Sequence, residues 1–210
     1  MFKDRLDAAR QLASALQKYR DQNPLVLAIP RGAVPMGKQL AQALNGQFDV
    51  VLVRKLRAPF QPEVAIGAVD ETGLAYLSPE VSSMGIDPQY VKDEIKQQMK
   101  TLKSRRQQYS QIQAPISVKG RLVIVVDDGL ATGATMMSAL HALRQHRPRR
   151  LVCAIPVASP HALAKIKALA DETVCLSAPE DFMAVAQFYQ QFPQVDDAQV
   201  LECLQTKFAA

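Results

Sequence analysis

The chain has 210 residues, 48% hydrophobic and 21% charged, with 25 Lys and Arg against 20 Asp and Glu for a formal net charge of +5. That length suits one domain with a full core and an ordinary soluble composition. The apolar runs are strand-length, which argues against a membrane span. The opening MFKDRLDAARQLASALQ mixes charge with helical periodicity and lacks the apolar centre of a secretory signal, so cytoplasm is the expected compartment. Cys153, Cys175 and Cys203 show no metal-ligand spacing, and the first two sit in apolar runs as small hydrophobes.

In chain order, Phe2, Leu6, Ala9, Ala13 and Leu16 predict one face of an N-terminal helix, broken by Asn23-Pro24. Leu25 to Ile29 reads as a buried strand, followed by the turn PRGAVP and a helix from Met36 to Leu44 that Asn45-Gly46 ends. Asp49 to Arg54 reads as the next strand, Lys55 to Glu63 as a polar connection, and Val64 to Val69 and Leu74 to Leu77 as two more strands. A long polar helix follows from Pro88 to Tyr109, with a thin stripe of Ile95, Met99 and Leu102. Strand Leu122 to Val126, helix Ala134 to His146, strand Leu151 to Val157, helix His161 to Leu169 and strand Thr173 to Leu176 come next. Helical pieces near Phe182 to Tyr189 and Ala198 to Gln205 finish the chain. Such alternation predicts an α/β fold, a mainly parallel sheet with helices on both faces.

The excess cations gather in Lys92 to Arg106 and in Arg144, Arg147, Arg149 and Arg150. Both clusters read as solvated helix faces and ends. Without interleaved aromatics they make a weak nucleic-acid footprint. His141, His146 and His161 lie in or at helices with no catalytic partner in sequence.

Val123 to Thr135, VIVVDDGLATGAT, concentrates the chemistry. Four β-branched aliphatics run into two carboxylates, which then face the crevice where open α/β sheets bind ligands. The Gly/Thr turn can converge N–H groups and hydroxyls on an anion at the next helix start. An acid pair alone serves a metal or a diol equally well, or caps the following helix. With the anion cradle beside it, the pair suits a ribose 5-phosphate. A metal-dependent hydrolase or phosphotransferase would need further acids, for which Glu63, Asp70 and Glu71 are the nearby candidates.

This motif closely resembles the 5-phosphoribosyl 1-pyrophosphate (PRPP) signature of type I phosphoribosyltransferases. The resemblance implies that fold, with a core over 24–177 and a small hood from 1–22 and 178–210. It implies that Asp127 and Asp128 bind the ribose hydroxyls. It implies that Ala131, Thr132, Gly133, Ala134 and Thr135 wrap the 5′-phosphate. Gly129 departs from the pattern, which has an aliphatic residue there. IPRGAVPMG, at Ile29 to Gly37, resembles the pyrophosphate loop, where a peptide bond, often cis, aims N–H groups at pyrophosphate; Arg31 and Gly32 would carry this. VRKLRAPFQPEVAIGAV, at Val53 to Val69, resembles the strand, mobile loop and strand that close over the site. There Arg54 and Lys55 would meet pyrophosphate, and Lys55 and Arg57 are the catalytic candidates at the loop's first hinge.

The resemblance also implies Mg²⁺ as cofactor, held by the substrate's own oxygens with no direct protein ligand. Its other expected partners are PRPP and a nitrogenous acceptor of unassigned identity, with no membrane partner and a homodimer left open. Ala131 stands where 6-oxopurine enzymes carry an acid, which argues against hypoxanthine or guanine. The alternative reading on the same fold is a non-catalytic regulatory protein that binds PRPP or a nucleotide.

Overall fold

The computed structural model of the chain describes residues 1–61 and 64–205. Helix α1 (Arg5–Ala15) starts at Asp4, whose carboxylate accepts from the Asp7 N–H at 2.7 Å. Its buried face is Arg5, Ala8, Ala9, Leu12 and Ala13, running on to Leu16. Leu6, expected on that face, is exposed, because the helical spacing of the buried set passes through position 5 instead. Phe2 lies ahead of the helix and bridges to Tyr189 in the tail.

Five strands form a parallel sheet in the order β2-β1-β6-β7-β8: β1 (Leu25–Ala28), β2 (Gln47–Val50), β6 (Leu122–Val126), β7 (Arg150–Val157) and β8 (Glu172–Ser177). Register pairs Val26 with Ile124 and Leu27 with Val125. Alternate side chains therefore enter two cores. Val26, Ala28, Ile124, Val126, Val152 and Ala154 pack in one core with α1 and α2 (Val34–Ala43). Leu25, Leu27, Val123, Val125, Leu151 and Cys153 pack in the other with α4 (Ala134–Gln145) and α5 (Pro160–Lys167). Burial on both faces is why these strands read as continuous apolar runs. No described helix is long and apolar enough to cross a membrane.

A second, antiparallel sheet joins β3 (Val53–Arg57), β4 (Ala65–Asp70) and β5 (Ala75–Leu77). The single strand expected over Asp49 to Arg54 is thus two strands in different sheets. Lys55 and Arg57 lie inside β3, not in a loop. The run Val50 to Val53 contains no turn residue, so nothing local marks the change of partner. Helix α3 (Pro88–Ser110) buries Val91, Glu94, Gln98, Leu102 and Tyr109, whereas Ile95 and Met99 are half-buried. The stretch near Phe182 to Tyr189 holds only a short 3₁₀ turn, Val185–Phe188, before α6 (Asp197–Gln205). The tail joins the N-terminus through Phe2 N to Phe188 O at 2.7 Å and Gln190 N to Phe2 O at 2.9 Å. Glu63 and the hood's last residues, 206–210, lie outside the described residues.

Candidate active site

Strands β1 and β6 are parallel neighbours, with Ala28 opposite Val126, so the segments that follow them leave the same end of the sheet side by side. Ile29 N still bonds Val126 O at 3.0 Å. Beyond it the Pro30–Arg31 peptide bond is cis. The helices after these two segments start differently from the others. α1, α3 and α5 have side-chain caps from Asp4, Asp87 and Ser159, whereas α2 at Ala33 and α4 at Gly133 have none. The start of α4 thus leaves N–H groups and the positive end of the dipole available to an anion. At α2, Val34 N donates to Arg31 O at 3.1 Å and Pro35 has no N–H, so the dipole is the main attraction there.

At the end of β6 stand Asp127 and Asp128. Asp127 Oδ1 accepts from Asp128 N at 2.9 Å. Burial, and then the Asp128 charge, push the Asp127 carboxyl well above the usual carboxylate range. Burial also raises Asp128, but Arg5 works against it. Arg5 Nε and Nη2 both reach Asp128 Oδ2 at 2.9 Å. Gly32 passes so close that a Cβ there would run into Asp128 Oδ2. The expected pyrophosphate loop and the expected ribose acids therefore touch.

The turn over Ala131 to Thr135 is fixed from below. Ser159 Oγ donates to Ala131 O at 2.7 Å, and Ser159 N to Leu130 O at 2.9 Å. Gly133, at φ 74°, takes a left-handed conformation that suits glycine. Thr132 Oγ1 is 3.4 Å from Ala134 N, and Ala131, Thr132 and Thr135 are exposed. Gly129 has a different reason to be small: a Cβ there would lie 2.6 Å from Val185 Cγ1. A tail residue thus covers the turn where the signature usually has an aliphatic side chain of its own.

Beside this turn is a cavity of about 190 Å³ lined by Pro30, Arg54, Lys55, Arg57, Arg105 and Thr135, among others. It brings together the segment after β1, the cationic strand and the start of α4. Burial, and then the neighbouring Arg105 and Arg57, lower the pKa of Arg54, with Glu94 working against them. Arg54 Nε donates to Gln98 Oε1 at 2.9 Å, and Glu94 Oε1 accepts from Arg57 N at 3.2 Å. Arg31 instead lies on the surface, paired with Asp197 at 3.3 Å.

Two residues of this region were not singled out by the sequence. Arg105 sits in a helix that reads as solvated. Glu94, Gln98, Leu102, Arg106 and Tyr109 nevertheless follow each other at helical spacing, and that polar stripe was a readable sign of an inward face. Arg5 left no such sign.

Of the acids that metal-dependent hydrolysis would need, the two among the described residues, Asp70 and Glu71, do not join the pair. Asp70 accepts from Thr72 and Leu74 and pairs with His146, while Glu71 pairs with Arg106. Both line a separate cavity of about 500 Å³ with Asp49. Among the described residues, no group of three or more His, Cys, Asp or Glu is placed to hold a metal ion. His141 stacks on Tyr76 at 3.7 Å between ring centres, and His161 is exposed.

A profile of the phosphoribosyl transferase domain matches residues 2–193. The chain belongs to this family. It is 38% identical over 205 residues to "Putative phosphoribosyl transferase Rv0571c" of Mycobacterium tuberculosis strain H37Rv, and equally to its counterpart MT0597 in strain CDC 1551. The match covers 97% of this chain and 46% of each relative, so the chain spans about half their length. The crystal structure of TT1426 from Thermus thermophilus superposes with a TM-score of 0.91 at 44% identity, covering 97% of both chains. The parallel sheet with helices on both faces is the type I phosphoribosyltransferase fold.

Proposed function

We propose that this phosphoribosyl transferase family member moves the 5-phosphoribosyl group of PRPP to a nitrogenous acceptor and releases pyrophosphate. The observation that carries the reading is the convergence of two uncapped helix starts, two carboxylates and four cations on one end of the sheet. Each part suits one piece of PRPP. Asp127 and Asp128 accept from the ribose hydroxyls. The N–H groups from Ala131 to Thr135, with the Thr132 and Thr135 hydroxyls, bind the 5′-phosphate. The segment Arg31-Gly32 and the cations Arg54 and Lys55, joined by Arg57 and Arg105, hold pyrophosphate.

Breaking the anomeric C–O bond builds positive charge on the ring and negative charge on the leaving group. Fixed cations and N–H groups favour that change, because they need no reorganisation as it develops. Lys55 and Arg57 act as the catalytic cations, and positioning supplies much of the rest. Mg²⁺ would be carried on the substrate's own oxygens, where it would neutralise the leaving pyrophosphate. By resemblance to the family's mobile loop, the stretch that links β3 and β4 would exclude water that otherwise hydrolyses the activated sugar. Ala131 offers a methyl where 6-oxopurine enzymes carry an acid, so hypoxanthine and guanine are poor acceptors on this reading.

The test follows pyrophosphate release from PRPP and Mg²⁺ across a panel of nitrogenous bases. Release with one acceptor class supports transfer. PRPP binding without release for any acceptor favours the regulatory reading, and absence of PRPP binding removes both.

A further inference from the structure

We propose that Arg5 is a positioning residue for the sugar: it anchors Asp128 Oδ2 and so presents Asp128 Oδ1 to the ribose hydroxyls. The inference rests on the reading of Asp127 and Asp128 as the ribose acids.

Arg5 is remote in sequence, 123 positions from Asp128, yet it is 9% exposed and held on every side. Nε and Nη2 go to the same carboxylate oxygen at 2.9 Å. Nη1 donates to Pro193 O at 2.6 Å, and the guanidinium lies 3.7 Å from the centre of the Phe192 ring. The Tyr189 hydroxyl donates to Asp128 O at 2.7 Å. N-terminal helix and tail thus close on one residue, Asp128, just beyond the end of β6. A cation stacked on an aromatic ring and bound in two directions has little freedom left, so its partner is fixed as well.

Oxygen by oxygen, the pair is half used by the fold. Asp128 Oδ2 takes Arg5, and Asp127 Oδ1 takes Asp128 N. Among the described residues that leaves Asp128 Oδ1 and Asp127 Oδ2 for a ligand, one oxygen from each acid and so two acceptors for the two hydroxyls of a vicinal diol. Arg106 offers a contrast: its donors go to Asp49, Glu71 and Val50 O, and this network closes on itself. Arg5 also favours the Asp128 anion, the better acceptor, where burial alone would favour the acid. Gly32 completes the arrangement: its missing Cβ would lie 3.3 Å from Arg5 Nη2, so the segment after β1 abuts the same pair.

The experiment is calorimetry of wild type, Arg5→Met and Arg5→Lys with two probes, PRPP with Mg²⁺ and pyrophosphate with Mg²⁺. Loss of two charge-assisted hydrogen bonds should weaken PRPP binding by ~10- to 100-fold in Arg5→Met. Arg5→Lys should recover part of that loss, and pyrophosphate should bind all three proteins alike. Equal PRPP affinity in Arg5→Met overturns the proposal, and so does tighter binding, which would make Arg5 a competitor of the sugar. Parallel loss of both probes would mark a merely structural salt bridge and also overturn it. If Arg5→Met does not fold, Phe192→Leu keeps the charge and removes its platform. Weaker PRPP with unchanged pyrophosphate then supports the proposal, and unchanged PRPP overturns it. Wild type that binds pyrophosphate but not PRPP would remove the ribose reading and this inference together. Wild type that binds PRPP as Arg5→Met does would remove this inference alone.

Discussion

Two adjacent carboxylates at the end of a buried strand cost stability unless something offsets their burial. Arg5 does so for Asp128, whereas for Asp127 the Asp128 N–H and the more distant Arg5 charge offset burial less well. The Asp127 carboxyl is raised in the folded protein, so the native state holds its proton where the unfolded chain has lost it. The resulting penalty is absent below the ordinary carboxylate pKa and grows as pH rises from there through the folded value. Asp127→Asn should therefore raise the melting temperature at pH 7 but not at pH 3.5, while weakening PRPP binding. Thermal melts at the two pH values check this, and an equal change at both would contradict it. Gly129 poses a steric question rather than an electrostatic one. Val185 occupies the space of its missing side chain, so Gly129→Val should cost about 1–3 kcal/mol by overpacking. Urea denaturation measures the cost, and limited proteolysis should show earlier cleavage in 178–196.

At the scale of elements, α3 connects the two sheets. Arg106 reaches Asp49 on β2 at 3.3 Å, Val50 O at 3.2 Å and Glu71 at the end of β4 at 2.6 Å. Burial works against its charge, but Glu71 and Asp49 outweigh it and hold the guanidinium above its ordinary pKa. Asp49 is 2% exposed. Arg106→Leu would leave that carboxylate without its cation and should destabilise by about 3–5 kcal/mol, read as a lower urea midpoint. The paired change Arg106→Leu with Asp49→Leu should lose less than the single one, since an apolar pair carries no orphaned charge. The helix itself was legible in sequence, but its buried face was not. Ile95 and Met99 outweighed Glu94 and Gln98 as hydrophobic signals, yet the latter two are buried because β3 offers them partners. In the same way, Lys55 and Arg57 read as loop residues beside Pro59 and Pro62, and β4 pairing draws them into a strand.

For the molecule as a whole, a net charge of +5 matters less than where the cations meet. Four of them line one cavity of about 190 Å³, and a polyanion entering it relieves their mutual repulsion. PRPP with Mg²⁺ at about 100 times its dissociation constant should stabilise the fold by about 2.7 kcal/mol, visible as a raised melting temperature. Lys55→Ala should shrink that shift only modestly and act mainly on turnover. A large loss of the shift would leave Lys55 with its pyrophosphate-binding role and count against its catalytic one.

The sequence by itself determined the alternation of strands and helices, the strand-diacid-turn motif and the cationic run, because each is a pattern among neighbours in the chain. Periodicity and turn chemistry act over a few residues and need no partner to be read. Tertiary structure alone decided that Arg5 meets Asp128, that Val185 covers Gly129 and that Arg105 joins Arg54, Lys55 and Arg57. It also decided that Asp70 and Glu71 serve His146 and Arg106 instead of the acid pair. Those assignments depend on which surfaces the sheet brings together. A side chain's charge or bulk states what it can bind, but the fold determines what stands within reach.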